Sequence, residues 1–205
     1  MNIEEIKRLF AAWARVMREN RDRLIDMDSV AGDGDLGLTM TDGFAAASGT
    51  VSASAETDLG KLVYQVGKAF GSAAPSSLGT LFASGFMSAG MALKGKTELD
   101  AAGVAAFVRA FADGIVKLGK AKEGEKTVLD ALYPAARALE EAAAAGKGVK
   151  EALASGAQAA QQGFEATAGM VAAHGRIATR GEKSVGILDP GSAVVALMMQ
   201  TFASL

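Results

Sequence analysis

The chain has 205 residues, half of them apolar and 21% charged, with a formal net charge of −2, a composition typical of a soluble globular domain. The sequence has no excess of basic residues, so we do not expect nucleic acid as a ligand. No apolar run is long enough to span a bilayer, and together with the absence of cysteine this leads us to expect a cytoplasmic protein. Because the sequence has no cysteine and one histidine, it excludes disulfides, thiolate sites and multi-histidine sites. A bound metal would be held mainly by oxygen.

Abundant alanine, rare proline and few β-branched runs predict an all-α fold. A capping pair, Asn2 and Glu5, begins a first helix whose apolar stripe runs to about Leu24. A second helix begins near Gly37, and the last begins at Asp189–Pro190, an acidic cap followed by proline. The remaining helices are predicted at about 58–70, from 76 to 93, 99–118, 126–144 and 149–172, and the last ends near 203.

Short connections make consecutive helices antiparallel neighbours, so these eight helices predict a single-domain up-and-down barrel or bundle over residues 1–205. In such an array, alternate connections emerge at the same end. The connections after the first, third, fifth and seventh helices are polar or rich in glycine, and they are residues 25–36, 71–79, 119–126 and 173–188. Their convergence predicts a functional site at one end of the bundle.

The segment between the first two helices contains three aspartates, Asp28, Asp33 and Asp35, among several glycines. On a regular helix Asp33 and Asp35 would point about 200° apart, so they converge only where glycine permits an irregular backbone. Three carboxylates brought together repel one another, and a hard divalent cation removes that penalty. The segment therefore predicts a magnesium site beside a helix N-terminus that favours phosphate.

Other interpretations of this segment are weaker. The pattern Gly32-x-Gly34-x-x-Gly37 satisfies the dinucleotide fingerprint, but a helix precedes it where the fingerprint requires a strand. An EF-hand needs an acidic residue at its twelfth position, which here is Phe44 or Thr39. A solvated acidic turn with capping aspartates stays open on the residues alone.

Two further features of the sequence could take part in chemistry. The segment Gly119–Thr127 differs from a P-loop, because it has one residue too many before Lys126 and follows a helix. Its glycines and lysines could still meet a phosphate or a base, and a plain polar turn is the alternative. We interpret the lone His174 as structural or solvent-facing and not as the catalytic group.

Six motifs follow one another across nearly the whole chain. They are Asp28…Gly32-Asp33-Gly34-Asp35-x-Gly37, Gly79-Thr80, Gly119-Lys-Ala…Gly124-Glu-Lys-Thr127, Gly175-Arg176, Gly181-Glu-Lys-Ser-x-Gly186 and Asp189-Pro-Gly191. Each motif is weak alone, but six in order are specific. Together they resemble one family, the L subunit of dihydroxyacetone kinases, which is the nucleotide-binding subunit of these enzymes. The resemblance implies an eight-helix antiparallel barrel with a nucleotide at one end.

The resemblance implies that Asp28, Asp33 and Asp35 are the catalytic group and hold two Mg²⁺ ions that bridge the phosphates of ADP or ATP. Two positions depart from the family pattern on the phosphate or ribose side. Leu36 stands where many phosphotransferase-linked members have histidine, and Ala74 stands where serine is common. The implied nucleotide-binding residues are Leu36, Gly37, Leu38, Thr39, Ala73, Ala74, Gly79, Thr80, Gly119, Val128, Arg176, Asp189, Pro190 and Gly191.

The implied activity is phosphoryl transfer to dihydroxyacetone, or a similar short ketose, held on a separate K subunit, so this chain would be catalytically incomplete alone. The donor would be a phosphohistidine-carrying phosphotransferase subunit that rephosphorylates the bound nucleotide. Residues 181–191 favour that donor, and Leu36 does not. Exchange with free ATP, another small sugar as acceptor, a non-catalytic nucleotide-responsive regulatory subunit and a homodimer remain alternatives.

Overall fold

The computed structural model describes residues 1–205, apart from the side chain of Ala31. Within that description the chain forms nine α-helices and two 3-10 helices, and its β-structure is one isolated bridge between Asn2 and Glu98. The all-α prediction is confirmed. The α-helices are α1 (Ile3–Glu19), α2 (Arg21–Ala31), α3 (Leu36–Ala53), α4 (Leu59–Ala73), α5 (Ser77–Ala92), α6 (Ala101–Gly119), α7 (Leu129–Ala144), α8 (Val149–Ala166) and α9 (Pro190–Ala203), and the 3-10 helices are Thr167–Gly169 and Arg176–Ser184.

The helices close into an antiparallel ring in chain order. From α3 to α9 each helix packs against the next one, and α1 and α2 both pack against α3 and α9. The pair α1–α2 therefore occupies one position in the ring, which gives the eight positions of the predicted up-and-down barrel. Among the described residues, no helix combines the length and apolarity that a membrane crossing requires.

The predicted loop at 25–36 is wrong for most of its length, because α2 continues to Ala31. The capping box at Asn2 and Glu5 starts α1 as predicted, but α1 ends at Glu19. There Asn20 interrupts the helix, and its side-chain amide donates a hydrogen bond to the carbonyl of Val16 at 2.9 Å. The charged residues of α2 hide its helical period, and only the short turn between α2 and α3 is irregular.

Two other boundaries were also predicted wrongly. Helix α7 begins at Leu129 and not at Lys126, because Lys126 has a left-handed φ of 59° that no α-helix accommodates. Helix α8 ends at Ala166 and not near residue 172. The hydroxyl of the buried Thr167 there donates to the carbonyl of Phe164 at 2.6 Å and accepts from the N–H of Asp189 at 3.0 Å, which turns the chain toward α9.

The core of the barrel is a cluster of aromatic side chains around Trp13. Its indole N–H donates to the carbonyl of Met198 at 2.9 Å, so the polar atom of this buried ring is satisfied. Phe44 and Phe202 meet the indole edge-on, at centroid distances of 5.9 and 5.7 Å. Because helices from both halves of the chain supply these rings, the cluster fixes the ring of helices on which the site is built.

The two ends of the barrel differ in character. At one end the connections 54–58, 93–100 and 145–148 are closed by ordinary caps. Asp58 accepts from the N–H of Lys61 at 3.1 Å, and Asp100 accepts from the N–H of Gly103 at 2.7 Å. At the other end lie the turn between α2 and α3, the start of α5, the α6–α7 connection, and residues 167–189.

Candidate functional site

The three predicted aspartates lie together at the junction of α2 and α3. Asp28 is in the last turn of α2, Asp33 is in the turn, and Asp35 is the N-cap residue of α3. One carboxylate oxygen from each lies within 4.8 Å of the other two. Gly34, with a φ of +75°, provides the backbone reversal that regular helix would forbid. The predicted convergence of Asp28, Asp33 and Asp35 is thus present in the structure.

One hydrogen bond and one ion pair hold this cluster in place. The carboxylate of Asp28 accepts from the backbone N–H of Leu36 at 3.2 Å, which orients it across the turn. The guanidinium of Arg176 lies 2.6 Å from the carboxylate of Asp33. Burial raises the pKa of Asp35, the neighbouring Asp33 and Asp28 raise it further, and Arg176 lowers it. An oxygen-only donor set whose members repel one another fits a hard divalent cation such as Mg²⁺.

A cavity of about 860 Å³ opens beside the aspartates, at the end of the barrel where the sequence predicted convergence. This volume is within the range of small-molecule and cofactor sites. The α2–α3 turn, the start of α5, the α6–α7 connection, residues 174–177 and the start of α9 all contribute to its wall. The lining residues are Asp28, Gly32, Asp33, Asp35, Leu36, Gly71, Pro75, Ser76, Ser77, Leu78, Thr80, Leu81, Lys126, Thr127, Val128, His174, Gly175, Arg176, Ile177, Asp189, Pro190 and Gly191.

The structure brings half of the expected nucleotide-binding residues to this wall. Those that line the cavity are Leu36, Thr80, Val128, Arg176, Asp189, Pro190 and Gly191. Those that lie outside the lining are Gly37, Leu38, Thr39, Ala73, Ala74, Gly79 and Gly119. Leu38 is 44% exposed and faces away from the core, whereas Ala74 is 1% exposed and packs within it.

Two of the expected residues that lie outside the lining, Gly79 and Thr39, support Ser76. Ser76 lines the cavity but was not singled out from the sequence. The Ser76 hydroxyl accepts hydrogen bonds from the N–H of Gly79 at 3.1 Å and from the hydroxyl of Thr39 at 3.2 Å. Ser76 is therefore the N-cap residue of α5. A serine directly before a helix that begins with small residues is the sequence signal that could have identified it. A side chain at Gly79 would collide with the backbone of Ala74.

Asp189 forms the wall at the start of α9, as the N-cap residue expected from the sequence. Its carboxylate accepts from the N–H of Ser192 at 2.6 Å. Burial raises its pKa to about 7, with a contribution from Asp130, while the N–H of Ser192 and the ammonium of Lys126 act in the opposite direction. A carboxyl group that changes protonation near neutrality therefore faces the cavity.

His174 lines the cavity and is partly exposed. Its Nε2 is 2.7 Å from the carboxylate of Glu125. The N–H of Lys122 and then His174 lower the pKa of that glutamate. The pairing agrees with a structural role for His174, although its place in the cavity wall was not foreseen.

This chain is similar to several known proteins. Residues 30–204 match the DAK2 domain. The PEP-dependent dihydroxyacetone kinase ADP-binding subunit DhaL of Escherichia coli K12 is 32% identical over 180 residues, which are 88% of this chain and 86% of that protein. The corresponding subunit of dihydroxyacetone kinase 1 from Listeria innocua is 31% identical over 192 residues, covering 92% of this chain and 91% of that protein.

Longer proteins contain the same domain. D-erythrulose kinase of Mycolicibacterium smegmatis is 33% identical over 200 residues, but this chain spans 34% of its length. The crystal structure of the dihydroxyacetone kinase from C. freundii in complex with AMP-PNP and Mg²⁺ has a TM-score of 0.76 at 24% identity. It covers 97% of this chain and 33% of that one, which shows a shared fold. The resemblance inferred from the six motifs is confirmed, and this chain belongs to the DAK2-domain family.

Proposed function

We propose that this chain is the nucleotide-binding subunit of a dihydroxyacetone-type kinase, which binds ADP or ATP with Mg²⁺ in the cavity at the end of the barrel. The observation that carries the proposal is the convergence of Asp28, Asp33 and Asp35 at the rim of that cavity. Similarity to two ADP-binding DhaL subunits over most of their length supports it.

The aspartates would hold two Mg²⁺ ions. Bound magnesium would neutralise charge on the transferring phosphoryl group, which is the main requirement of phosphoryl transfer. Two contacts of the chain itself hold the aspartates for this role. The N–H of Leu36 orients Asp28, and the guanidinium of Arg176 adds a positive charge beside Asp33, in addition to that of the magnesium. The N-terminus of α3 adds a partial positive charge beside them.

The remaining wall determines how the rest of the nucleotide would lie. The lining also includes the apolar side chains of Leu78, Leu81, Val128 and Ile177, which suit contact with a base. With the phosphates at the aspartates, the base would lie against these side chains and the start of α9. The expected binding residues that lie behind the lining, such as Thr39 and Gly79, would act through Ser76.

We propose that the acceptor, dihydroxyacetone or a similar short ketose, is held on a separate K subunit in the cytoplasm. The donor would be a phosphohistidine-carrying phosphotransferase subunit that rephosphorylates ADP in place, as the PEP-dependent names of the DhaL relatives indicate. Exchange with free ATP is the second candidate. The observation in its favour is Leu36, an apolar and 4% exposed side chain where phosphotransferase-linked members often have histidine.

Titration calorimetry with ADP and ATP, with and without Mg²⁺, tests the binding site. We expect magnesium-dependent binding that Asp33→Ala or Asp35→Ala removes, whereas Asp42→Ala, an exposed aspartate on α3, leaves it unchanged. The proposal fails if both site variants retain magnesium-dependent binding and kinase activity. Light scattering on the same samples separates a monomer from a homodimer.

Reconstitution distinguishes the donors and the class of protein. The chain is mixed with a K subunit and dihydroxyacetone. One mixture receives phosphotransferase components and phosphoenolpyruvate, and the other receives free ATP. ADP that stays bound through purification and resists displacement by ATP supports rephosphorylation in place, and ready exchange supports the ATP-dependent alternative. Regulation of a partner without turnover in any mixture would favour a non-catalytic subunit.

A further inference from the structure

Lys126 is a buried lysine in the connection between α6 and α7, with 1% of its surface exposed. A buried ammonium group is unfavourable unless hydrogen bonds and opposite charge compensate it. The Nζ atom of Lys126 donates to the carbonyl of Ser184 at 2.6 Å and to the carbonyl of Met170 at 3.2 Å. Burial lowers its pKa, and the carboxylate of Asp189 has the opposite effect.

The two carbonyls that Lys126 binds lie near the two ends of one stretch, which we call segment 170–186. This segment is also closed on itself. The hydroxyl of Ser184 accepts from the N–H of Ala172 at 2.9 Å and donates to the carbonyl of Gly181 at 2.6 Å. By holding both ends, the ammonium fixes the segment as one unit against the α6–α7 connection.

Segment 170–186 carries Arg176, which reaches the aspartate cluster. The guanidinium of Arg176 lies 2.6 Å from the carboxylate of Asp33, although 3-10 structure and a kink at Gly181 leave the segment without a regular helix of its own. Contacts from outside the segment therefore contribute to holding Arg176 in place. Lys126 provides one such contact. The pair formed by His174 and Glu125 provides another, and the N–H of Ala173 donates to the carbonyl of Glu125 at 3.1 Å.

The connection that carries Lys126 is itself rigid. The carboxylate of the buried Asp130 accepts from the N–H of Thr127 at 2.6 Å and from the N–H of Gly124. The carbonyl of Thr127 accepts from the hydroxyl of Ser192 at 2.7 Å, which joins this connection to the start of α9. Lys126 thus contacts segment 170–186 from a fixed position, while its own left-handed backbone sends the side chain inward.

We propose that Lys126 is a positioning residue for the bound nucleotide that acts through Arg176: its ammonium holds segment 170–186 so that the guanidinium stays at the phosphate side of the cavity. The proposal rests on the proposed function, since it requires a nucleotide phosphate beside the aspartates. It assigns Lys126 no contact with the reacting atoms. The expected consequence is that phosphate recognition depends on a lysine two of whose three N–H donors bind backbone carbonyls.

A double-mutant cycle tests this dependence. Lys126→Met keeps the length of the side chain but removes the donors, and it should weaken MgADP binding by about tenfold in calorimetry. In an Arg176→Ala background the same change should weaken binding by less than about twofold, because the group through which Lys126 acts is already absent. An equal loss in both backgrounds overturns the proposal. Lys122→Met, an exposed lysine in the same connection, is the matched control and should have no effect.

Hydrogen exchange provides a readout that needs no nucleotide. In Lys126→Met the backbone amides of Ala172 and Gly186 should exchange faster, while those of α9 should be unchanged. Unchanged exchange in the segment would refute the proposal. Absence of MgADP binding by the wild-type chain would instead refute the proposed function and leave the exchange result to decide the role of Lys126.

A second variant covers the case in which Lys126→Met does not fold. Ser184→Ala keeps the Ser184 carbonyl that Lys126 binds, but it removes the hydroxyl that closes the segment. It should show faster exchange at Ala172 and weaker MgADP binding, and the binding loss should again disappear in the Arg176→Ala background. Faster exchange with unchanged MgADP affinity would overturn the proposal.

Discussion

Replacing Asp35 by asparagine should change stability in opposite directions with and without the ligand. Asp35 is the N-cap residue of α3, but its side chain makes no capping hydrogen bond, so asparagine removes charge without removing a contact. In the metal-free protein that charge is unfavourable, because the carboxylate is partly desolvated and because Asp33 and Asp28 stand close to it. The variant should therefore be more stable than wild type when no Mg²⁺ or nucleotide is present.

The size of this stabilisation follows from the distances between the three carboxylates. Two unit charges at the 4.8 Å limit of this group repel by about 0.9 kcal/mol at the dielectric of water. Asp35 experiences two such repulsions, and Arg176 and dissolved salt offset part of them. The net stabilisation by Asp35→Asn is therefore about 0.5–1 kcal/mol. With MgADP at a hundredfold excess over Kd, wild type gains about 2.7 kcal/mol, and the variant should lose most of that gain.

Urea unfolding followed by circular dichroism measures both effects. The pKa of Asp35 is raised in the folded state, so its favourable contribution is complete below the unfolded pKa and is lost as pH rises through the folded value. The advantage of the variant should accordingly shrink as pH falls. Asp42→Asn, a charge removal elsewhere on α3, is the control. A variant that is less stable than wild type without ligand, or that is stabilised by MgADP as much as wild type, would refute this reasoning.

Gly37→Ala should destabilise the protein by about 1–3 kcal/mol in urea unfolding and weaken MgADP binding, because its Cβ would overlap the backbone carbonyl oxygen of Arg21 and lie 2.7 Å from Cγ1 of Ile25, which would press α3 away from α2. Gly49→Ala on the same helix has no atom within 4 Å of its Cβ and should stabilise by about 0.5–1 kcal/mol, so similar effects of the two changes would contradict the packing argument. Asp189→Asn should flatten the pH dependence of stability: the pKa of Asp189 is raised to about 7, so its favourable contribution is complete below about pH 4 and is lost as pH rises through 7. An unchanged slope between pH 4 and 7 would count against that assignment.

The sequence predicted the parts of the fold that local physics determines. Caps at Asn2 and at Asp189–Pro190 placed helix starts correctly, and apolar periodicity placed most of the helices between them. Periodicity failed at α2, whose charged face hides the pattern, and at residues 167–172, where the buried Thr167 ends α8 through a contact with Asp189. That contact joins residues far apart in the chain, so no local pattern could reveal it.

The position of the candidate site could be predicted from the sequence, but only part of its lining could. The glycines around Asp33 and Asp35 predicted their convergence with Asp28, and alternate connections predicted the end of the barrel where they lie. The wall itself was less accessible to sequence reasoning. Thr39 and Gly79 were expected in it but support Ser76 from behind, because which side of a turn faces a cavity depends on the packing of neighbouring helices.

The contrast between the two ends of the barrel has a practical consequence for labelling. The connection at 145–148 lies opposite the cavity, and Gly146 already has a φ of +72° with open space around it. Lengthening such a surface connection costs only about 0.6 kcal/mol for each doubling of its length. A fluorescent reporter inserted there would monitor the protein during titrations without contacting the cavity. The same insertion at 120–127 would interrupt the hydrogen bonds that Asp130 accepts.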